Sequence, residues 1–383
     1  MQASVWPDPI ADARRVIDRD ELTAWLRLIE TPAVGRESAR KLLASFGSPQ
    51  AVFEGSSAAR REVVGAAAAQ ALASEPESLA ALIASTLDWL AADVPEPRAV
   101  VTLGDARFPR ALLETADPPL LLYTQGHTDL LQADAVAVVG SRNPTRQGTD
   151  NARAFSAHLS QAGLTVISGL ALGIDAAAHE GGLDGAASTV AVVGTGLDRV
   201  YPRRNLVLAH RIAEQGLIVS EYALGTPPLP PNFPIRNRII AGLSRGTLVV
   251  EAALQSGSLI TARLAIEAGR DVFAIPGSIH SPQARGCHAL IKQGATLVDS
   301  AQDILEELKL PGARAPDTGA ATAPSGRQDP LLTALGFDPV TLEALVARSG
   351  WPASELNTRL LELELDGQVA RLPGQLFQRI AQG

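Results

Sequence analysis

Eight short apolar runs recur between residues 98 and 298, and each is only four to six residues long. They alternate with stretches of about ten to twenty residues that have helical periodicity. Runs that are apolar on both faces are typical of strands buried on both sides in a parallel sheet. The alternation predicts βαβ units, and hence an α/β fold with a Rossmann-like, mostly parallel sheet. The runs are AVVTL (99–103), AVAVVG (135–140), LTVIS (164–168), TVAVVG (189–194), LIVS (217–220), TLVVEA (247–252), DVFAI (271–275) and ATLV (295–298).

Helical sequence precedes this core. Residues 20–95 carry apolar residues at helical spacing, broken by Pro32 and Gly35. The turn at 32–35, followed by a helix, is similar to a SAM-like or helix-hairpin-helix unit. Such hairpins can bind a phosphate through the N–H groups of a helix N-terminus. A small helical domain that only packs or contacts protein is the alternative, and the lack of a strong basic face favours it.

A linker and a second small module follow the core. Residues 311–330 are rich in Pro, Ala, Gly and Ser, which is typical of a flexible linker. The remaining pattern of helix, turn, helix and β-wing predicts a winged helix. We therefore predict a helical SAM-like domain at 1–95, a Rossmann-like core at 96–310, a linker at 311–330 and a winged-helix module at 331–383.

The composition is that of an ordinary globular chain. The first residues lack the basic and apolar regions of a secretory signal, and no apolar stretch is long enough to span a membrane. The single cysteine, Cys287, excludes an intrachain disulfide and a multi-cysteine zinc site. We expect a cytoplasmic protein without membrane contact.

The distribution of charge favours a core that binds a polyanion. The chain has a net charge of −8, but residues 135–298 contain 14 Arg or Lys against 10 Asp or Glu, a net charge of +4. Nearly all the bases are Arg, whose planar guanidinium suits phosphate. A GC-rich genome would produce the same preference for Arg over Lys, so both explanations fit the composition.

Glycine, hydroxyl and arginine residues follow the predicted strands. Ligands bind beyond the carboxyl ends of the strands in an open parallel sheet, so these loops are expected to converge. Glycine lets the backbone approach a ligand, and free N–H groups at helix starts favour anions. Arg142, Arg236 and Arg238 would add charge and bidentate donors, so the sequence predicts a phosphate site. The loops are 140–144, 168–175, 194–198, 232–238, 255–258 and 276–278.

The usual nucleotide motifs are missing. A dinucleotide fingerprint needs G-x-G-x-x-G after a strand, whereas Gly140 is followed by Ser-Arg and the Gly-Thr-Gly at 194–196 lacks the third glycine. No G-x-x-x-x-G-K-[ST] sequence is present, which excludes a P-loop. Asp175 and His179 lie one helical turn apart, but a metal pair there would lack a third ligand. The alternative is that Asp175 orients the loop backbone and His179 packs beside it. We expect no cofactor and no metal.

Two aromatic residues lie near the predicted site. Phe233 is followed by Pro234 and two arginines, and it is predicted to stack on a nucleobase. Such a contact contributes roughly 1–3 kcal/mol per base. Tyr201 is predicted to pack in the core instead.

The sequences of these loops also match the motifs of a known family. AVVGSR, SGLALGIDAAAH, TVAVVGTGLDRVYPRRN, SEYALGTPPLPPNFPIRNRIIAGLS, TLVVEAALQSGSLITARLA and VFAIPGS closely resemble those of the DNA-processing protein A (DprA/Smf) family. The match runs in order from about residue 98 to residue 300. The resemblance implies a dimeric cytoplasmic protein, not an enzyme, that binds single-stranded DNA. It also implies that the protein protects incoming strands and loads the RecA recombinase during natural transformation.

The resemblance assigns a set of residues to strand binding. In the mechanism it implies, Arg142 and Arg238 bind phosphates while hydroxyls and loop N–H groups fix the backbone. Phosphate contacts carry no sequence information, so binding should be non-specific and should weaken with salt. The resemblance assigns Ser141, Arg142, Gly169, Asp175, Phe233, Arg236, Asn237 and Arg238. Gly140, Ser168 and Gly173 of the same strand-end loops complete the predicted site.

An enzyme is the alternative. Residues 244–253 (SRGTLVVEAA) are faintly similar to the Gly-Gly-x-Gly-Thr…Glu loop of the lysine-decarboxylase-like nucleotide phosphoribohydrolases. In that case Glu251 would be the acid/base and Arg142 a phosphate ligand. The double glycine is missing, and Glu251 lies four residues after Thr247 rather than three. We therefore expect a carrier rather than an enzyme.

The predicted winged helix is acidic. The second helix of such a module often reads duplex DNA, and it is then basic. Here residues 352–367 contain three Glu and one Asp against Arg359 alone, and residues 329–383 have a net charge of −3. We predict that this module contacts protein, or the basic core of its own dimer, rather than duplex DNA.

Overall fold

The computed structural model describes residues 17–309, 329–336 and 339–379. They belong to two compact units, with the division between Ala313 and Arg314. Apart from its last two residues, the predicted linker at 311–330 lies outside the described residues, as does the N-terminal segment 1–16, which lacks the features of a secretory signal in its sequence. No helix within the described ranges is long and apolar enough to cross a membrane.

Five helices begin the described part of the first unit. The first is capped by Asp18, whose carboxylate accepts bonds from the N–H groups of Asp20 and Glu21 at 2.9 and 2.8 Å. Trp25 of this helix is buried in the same apolar cluster as Tyr123 of the sheet, so the helices and the sheet share a core. The helices are α1 (Arg19–Glu30), α2 (Arg36–Phe46), α3 (Pro49–Glu54), α4 (Ser57–Ala71) and α5 (Leu79–Ala91).

A nine-stranded sheet forms the centre of this unit. The strands are β1 (Arg98–Thr102), β2 (Leu121–Gly126), β3 (Ala135–Val139), β4 (Thr165–Ser168), β5 (Thr189–Val192), β6 (Leu217–Ser220), β7 (Gly246–Val249), β8 (Asp271–Ala274) and β9 (Thr296–Leu297). Their order is β1-β2-β6-β5-β4-β3-β7-β8-β9, and all pairings from β6 to β9 are parallel. Each of the eight predicted runs forms a strand.

Strand β2 is absent from the sequence prediction. It pairs antiparallel with both β1 and β6, and so extends the parallel sheet with an antiparallel pair of strands. A short 3-10 helix, Thr128–Gln132, follows it instead of a long helix. Its sequence, LLYTQG, has Thr, Gln and Gly in its second half and so does not read as an apolar run.

Helices cover both faces of the sheet, which explains why the runs are apolar on both faces. Along β3, Ala137 and Val139 belong to one buried cluster, whereas Val136 and Val138 belong to another. The helices of this region are α6 (Arg110–Leu113), α7 (Arg146–Gln161), α8 (Ile174–Asp184), α9 (Leu206–Gln215), α10 (Asn232–Leu243), α11 (Ser258–Glu267), α12 (Arg285–Lys292) and α13 (Ala301–Glu307).

The second unit is a winged helix around its own apolar core, which includes Leu345, Leu356 and Phe377. Its helices are α14 (Pro330–Leu335), α15 (Leu342–Ser349) and α16 (Ala353–Leu365). Its strands, β10 (Val340–Thr341), β11 (Val369–Leu372) and β12 (Leu376–Arg379), form an antiparallel sheet in the order β10-β12-β11. The predicted fold class is confirmed: a mostly parallel α/β core with N-terminal helices and a C-terminal winged helix.

A cluster of ion pairs joins the N-terminal helices to the sheet region. Asp117 accepts hydrogen bonds from Arg36 and Arg40 of α2, at 2.9 and 2.7 Å, and from Arg238 of α10 at 2.9 Å. Arg238 also pairs with Glu221. Although burial raises the pKa of Asp117, the three guanidinium groups lower it to about 2. The carboxylate therefore stays charged under ordinary conditions and ties α2 to α10.

We predict that Asp117→Asn lowers the free energy of unfolding at pH 7 by about 1–2 kcal/mol, allowing for solvent screening at this partly exposed group. Because the folded-state pKa lies below the usual 3.8, this stabilisation is present above about pH 4 and is lost as the pH falls towards 2. Urea unfolding curves at pH 7 and at pH 2.5 would measure both effects.

Asp184→Asn is the matched control, because Asp184 forms a surface pair with Arg153 whose side chains are 42% and 56% exposed. We expect its effect to stay within about 0.5 kcal/mol. Equal losses in the two variants would contradict the special role of Asp117.

Candidate functional site

A cleft of about 480 Å³ lies at the carboxyl edge of the sheet, where ligands bind in open parallel sheets. Loops after β3, β4 and β7 and the start of α10 enclose it. One wall is formed by residues 253–261 and Gln283. Seven of the predicted strand-binding residues line the cleft: Gly140, Ser141, Arg142, Asp175, Phe233, Arg236 and Asn237.

The Gly-Ser-Arg turn after β3 is held by its backbone. Ser141 donates its N–H to the carbonyl of Glu251 at 2.7 Å, and its own carbonyl accepts a bond from Ile174 N at 3.1 Å. A Cβ at Gly140 would lie only 2.7 Å from Ile174 Cγ1, so glycine is required for this packing. The turn therefore presents the exposed side chain of Arg142, which forms no ion pair within the described residues.

The loop after β4 is held from inside the protein. The carboxylate of Asp175 accepts bonds from the N–H groups of Gly169 and Ala171, at 3.2 and 3.3 Å. Ser168 is buried and donates to the carbonyl of Val138 at 2.6 Å. Gly173, with φ +81°, packs under the Gly-Ser-Arg turn. These contacts agree with the interpretation that Asp175 orients the loop backbone.

Arg236 brings a buried cation to the cleft. Its side chain donates from Nη2 to the carbonyl of Gly169 at 2.7 Å, and only 5% of the residue is exposed. Burial lowers the pKa of Arg236, and the nearby carboxylate of Asp175 opposes that effect. Burial likewise raises the pKa of Asp175, which Arg236 partly offsets. Arg236 Nε is buried without a hydrogen-bond partner in the part of the chain that the structure describes.

An aromatic pair, a half-buried Phe233 and an exposed Tyr201, flanks the cleft. The guanidinium of Arg142 lies 6.0 Å from the ring centre of Phe233, whose ring centre is 5.5 Å from that of Tyr201. Tyr201 is 48% exposed, so the prediction that it packs in the core was wrong. The short run from the end of β5 to the 3-10 turn Arg203–Asn205 brings this ring to the surface.

Sequence reasoning also missed two cations beside this pair. Arg203 and Arg204 are exposed in the 3-10 turn that begins two residues after Tyr201, and neither forms an ion pair with another described residue. The signal that could have found them is the adjacent Arg-Arg in YPRRN, which follows a strand-end loop.

Arg238 lies away from the cleft. Its side chain is 13% exposed and engaged with Asp117 and Glu221, and it is not among the lining residues. The sequence placed it beside Arg236 as a phosphate ligand. However, residues two positions apart on a helix point about 200° apart around its axis. In this structure Arg238 ties elements together, and the cations available to the cleft are Arg142 and Arg236.

Glu251, the candidate acid/base of the enzyme alternative, also points elsewhere. Its carboxylate accepts bonds from Thr145 N and Thr145 Oγ1, at 2.9 and 2.5 Å, at the start of α7. It fills the space beside Gly148, where a Cβ would lie 2.4 Å from the carboxyl carbon. Glu251 is not among the residues that line the cleft.

Comparison with known sequences places the chain in a family. Residues 99–309 match the sequence model described as DNA recombination-mediator protein A, and residues 315–375 match that of the DprA winged helix domain. The chain belongs to the DprA family. The family predicted from the loop motifs is thus confirmed.

Curated members of the DprA family resemble most of this chain. Protein Smf of Escherichia coli strain K12 is 44% identical over 304 residues, which cover 76% of this chain and 79% of that protein. DNA processing protein DprA of Streptococcus pneumoniae is 50% identical over 205 residues, which cover 54% of this chain and 72% of that protein.

Two solved DprA structures share the fold. An X-ray structure of DprA from Streptococcus pneumoniae matches with a TM-score of 0.65 and 38% identity, and covers 76% of this chain and 99% of that chain. DprA from Helicobacter pylori, whose structure was studied for its single-stranded DNA binding mode, matches with a TM-score of 0.51 and 31% identity. That match covers 55% of this chain and 95% of the other.

We predict that Gly169→Ala destabilises the protein by about 1–3 kcal/mol, because a Cβ there would lie 1.8 Å from Arg236 Nη1 and would displace a buried side chain. Gly257→Ala is the control on the opposite wall, where a Cβ meets no atom within 4 Å. Urea unfolding should place the control within about 0.5 kcal/mol of the wild type. A Gly169→Ala protein of unchanged stability would contradict the described packing.

Proposed function

We propose that this chain binds single-stranded DNA through the cleft, without catalysing a reaction on it. The observation that carries the proposal is the combination at the cleft mouth of an unpaired Arg142, the Phe233–Tyr201 ring pair and a buried Arg236 behind them. Single-strand sites combine a positive groove for the backbone with aromatic surfaces on which bases stack. The binding mode studied in the Helicobacter pylori relative supports the same ligand.

The cleft offers different contacts to phosphate and base. Arg142 and Arg236 would bind phosphate oxygens, and Ser141, Ser256 and Ser258 place hydroxyls around them. Phe233 and Tyr201 would stack on bases at the mouth of the cleft. Since phosphate contacts and stacking are both tolerant of sequence, the protein should bind strands of any sequence.

We predict that Arg142→Ala weakens binding of a labelled oligothymidylate by about tenfold, because a charge-assisted bond to phosphate is lost. The slope of log affinity against log salt should fall by about 0.7, the value for one phosphate of a single strand. Fluorescence anisotropy at several NaCl concentrations measures both. Arg153→Ala is the control, since Arg153 is exposed but paired with Asp184 on α8. An Arg142→Ala protein with unchanged affinity and slope would remove the basis of the proposal.

We predict a different signature for the aromatic contact. Phe233→Leu should weaken binding by about 5- to 150-fold, which corresponds to 1–3 kcal/mol for one stacked base. The salt slope should remain that of the wild type, because no phosphate contact is lost. Phe233→Tyr keeps the flat ring and should retain the affinity. If the salt slope fell together with the affinity, Phe233 would be acting through the arginines and not through a base.

The absence of enzymatic activity is part of the proposal. It is supported by the engagement of Glu251 with Thr145, which leaves the acid/base candidate outside the cleft. Incubation with nucleoside monophosphates, followed by chromatography for free base, is the test. Release of base that disappears in Glu251→Gln would favour the nucleotide hydrolase instead.

We also propose that the protein works as a homodimer. Strand β9 ends the sheet, pairs on one side only with β8, and carries Leu297, which is 50% exposed. An edge strand with an exposed apolar side chain is a template for pairing with a second copy. Two clefts on one strand would raise the avidity. Light scattering of the full chain tests this: a mass near twice 40.0 kDa supports it and a monomer at micromolar concentration opposes it.

In the cell, we propose that the protein protects incoming single strands in the cytoplasm and loads RecA on them during natural transformation. The family membership supports this role. Nuclease digestion of a labelled strand tests protection. RecA filament assembly on a strand covered with single-strand binding protein tests loading, and Arg142→Ala should fail in both assays. Equal filament assembly with and without the protein would rule out loading.

The winged helix is proposed to contact protein rather than duplex DNA. Arg359, the only base on α16, is held by Asp329 at 2.6 Å and by Glu362, so it is not free for phosphate. Leu361 and Leu365 are 56% and 80% exposed on the same helix, which suits an apolar contact. A gel shift of full-length Arg359→Ala tests this. A loss of duplex binding relative to the wild type would contradict the proposal.

A further inference from the structure

A chain of hydrogen bonds runs from the cleft loop into the sheet. Leu170 donates its N–H to Nε2 of His179 at 3.2 Å, and Nδ1 of His179 lies 2.7 Å from Oγ1 of Thr189. Thr189 in turn donates to the carbonyl of Val166 at 2.6 Å. His179 and Thr189 are fully buried, so each bond is shielded from water.

These hydrogen bonds fix the tautomer of His179. A threonine hydroxyl has one proton, and that of Thr189 points to the carbonyl of Val166. Oγ1 can therefore only accept from His179, so Nδ1 carries the ring proton. Nε2 is then a lone pair that faces the N–H of Leu170. Burial, and the charge of Arg236, lower the pKa of His179 to about 3, which keeps the ring neutral.

The residue held by these hydrogen bonds has an unusual backbone conformation. Leu170 has φ +56°, a left-handed conformation that costs an L-residue with a side chain about 1–2 kcal/mol. Its carbonyl and that of Ala171 accept bonds from Asn205 Nδ2, at 2.9 and 3.1 Å. The adjacent carbonyl of Gly169 is the one that receives Arg236. The conformation of Leu170 thus sets the direction of the carbonyl that orients the buried cation.

We propose that His179 and Thr189 are positioning residues for strand binding: one tautomer of His179, set by Thr189, holds Leu170 so that Gly169 presents Arg236 to the cleft. The inference rests on the proposed function of the cleft. Neither residue lines the cleft, so each acts through the loop and not by touching DNA. Loss of these hydrogen bonds lowers the population of the loop conformation that can bind DNA, and the apparent affinity for DNA falls in proportion.

The test is Thr189→Val, which keeps the shape of the side chain and removes its hydroxyl. Nδ1–H then lacks an acceptor, and the alternative Nε2–H would face the N–H of Leu170, donor against donor. We expect the affinity for oligothymidylate to fall by about tenfold with an unchanged salt slope, because no phosphate contact is lost. Long-range ¹⁵N–¹H NMR of the six histidines should report Nδ1–H for His179 in the wild type, and the ¹⁵N resonance of Nδ1 should shift in the variant because this N–H has lost its acceptor. Thr189→Ser should restore both readouts.

Thr165→Val is the matched control. Thr165 is equally buried in the neighbouring strand and donates to the carbonyl of Ala187 at 2.9 Å, but it does not contact His179. It should leave the affinity and the Nδ1 resonance of His179 as in the wild type. A tenfold loss in Thr165→Val as well would reduce Thr189 to general stability and overturn the proposal, as would wild-type affinity in Thr189→Val.

Two outcomes separate this inference from the proposed function. If the wild type fails to bind the oligonucleotide, the proposed function falls, and the positioning proposal falls with it. If Arg142→Ala weakens binding but Thr189→Val does not, only the positioning proposal is overturned. Where Thr189→Val does not fold, the wild-type spectrum decides, because an Nε2–H tautomer or a charged ring at His179 contradicts the hydrogen-bond chain.

Discussion

The arrangement of the cleft depends on one buried guanidinium. Taking a cation out of water costs several kcal/mol unless nearby groups compensate, and Arg236 is 5% exposed. The compensation comes from the carbonyl of Gly169 and from the carboxylate of Asp175. This requires a residue without a Cβ at 169, a loop whose N–H groups hold Asp175, and the start of α10 beside the end of β4. A phosphate that enters the cleft meets a cation already fixed in place.

Much of this could be predicted from the sequence, because two physical rules apply. A short run that is apolar on both faces must be buried on both sides of a sheet. This rule predicted the seven parallel strands and β1. The carboxyl ends of parallel strands meet at one edge, which brought Gly140, Asp175 and Arg236 together although they are far apart in the chain. Strand β2 was missed because its sequence, LLYTQG, does not read as an apolar run in its second half.

The direction of individual side chains was harder to predict. Arg238 is two residues from Arg236, but its side chain is directed away from the cleft by ion pairs with Asp117, 121 positions away, and with Glu221. Tyr201 was assigned to the core by default, whereas it is exposed and contacts Phe233, a residue 32 positions away in the chain. Such contacts between distant segments have no signature in local periodicity.

Ion pairs also change what the net charge of residues 135–298 indicates. Within residues 135–298, Arg153, Arg199, Arg245 and Arg270 are matched with nearby acids, like Arg238. The exposed cations without an ion pair in the described part of the chain include Arg142, Arg203 and Arg204, beside the aromatic pair. A net charge of +4 over the segment is therefore a weaker argument for DNA than the position of these three residues.

The two glycine positions on opposite walls of the cleft differ in what they permit. At Gly169 the space for a side chain is already filled by a guanidinium, so that wall is closed to variation. At Gly257 a side chain would project into open space, on a segment that carries Ser256 and Ser258. In the proposed complex with a DNA strand, amide or carboxyl groups introduced on the Gly257 wall would face the bases at little cost to the scaffold.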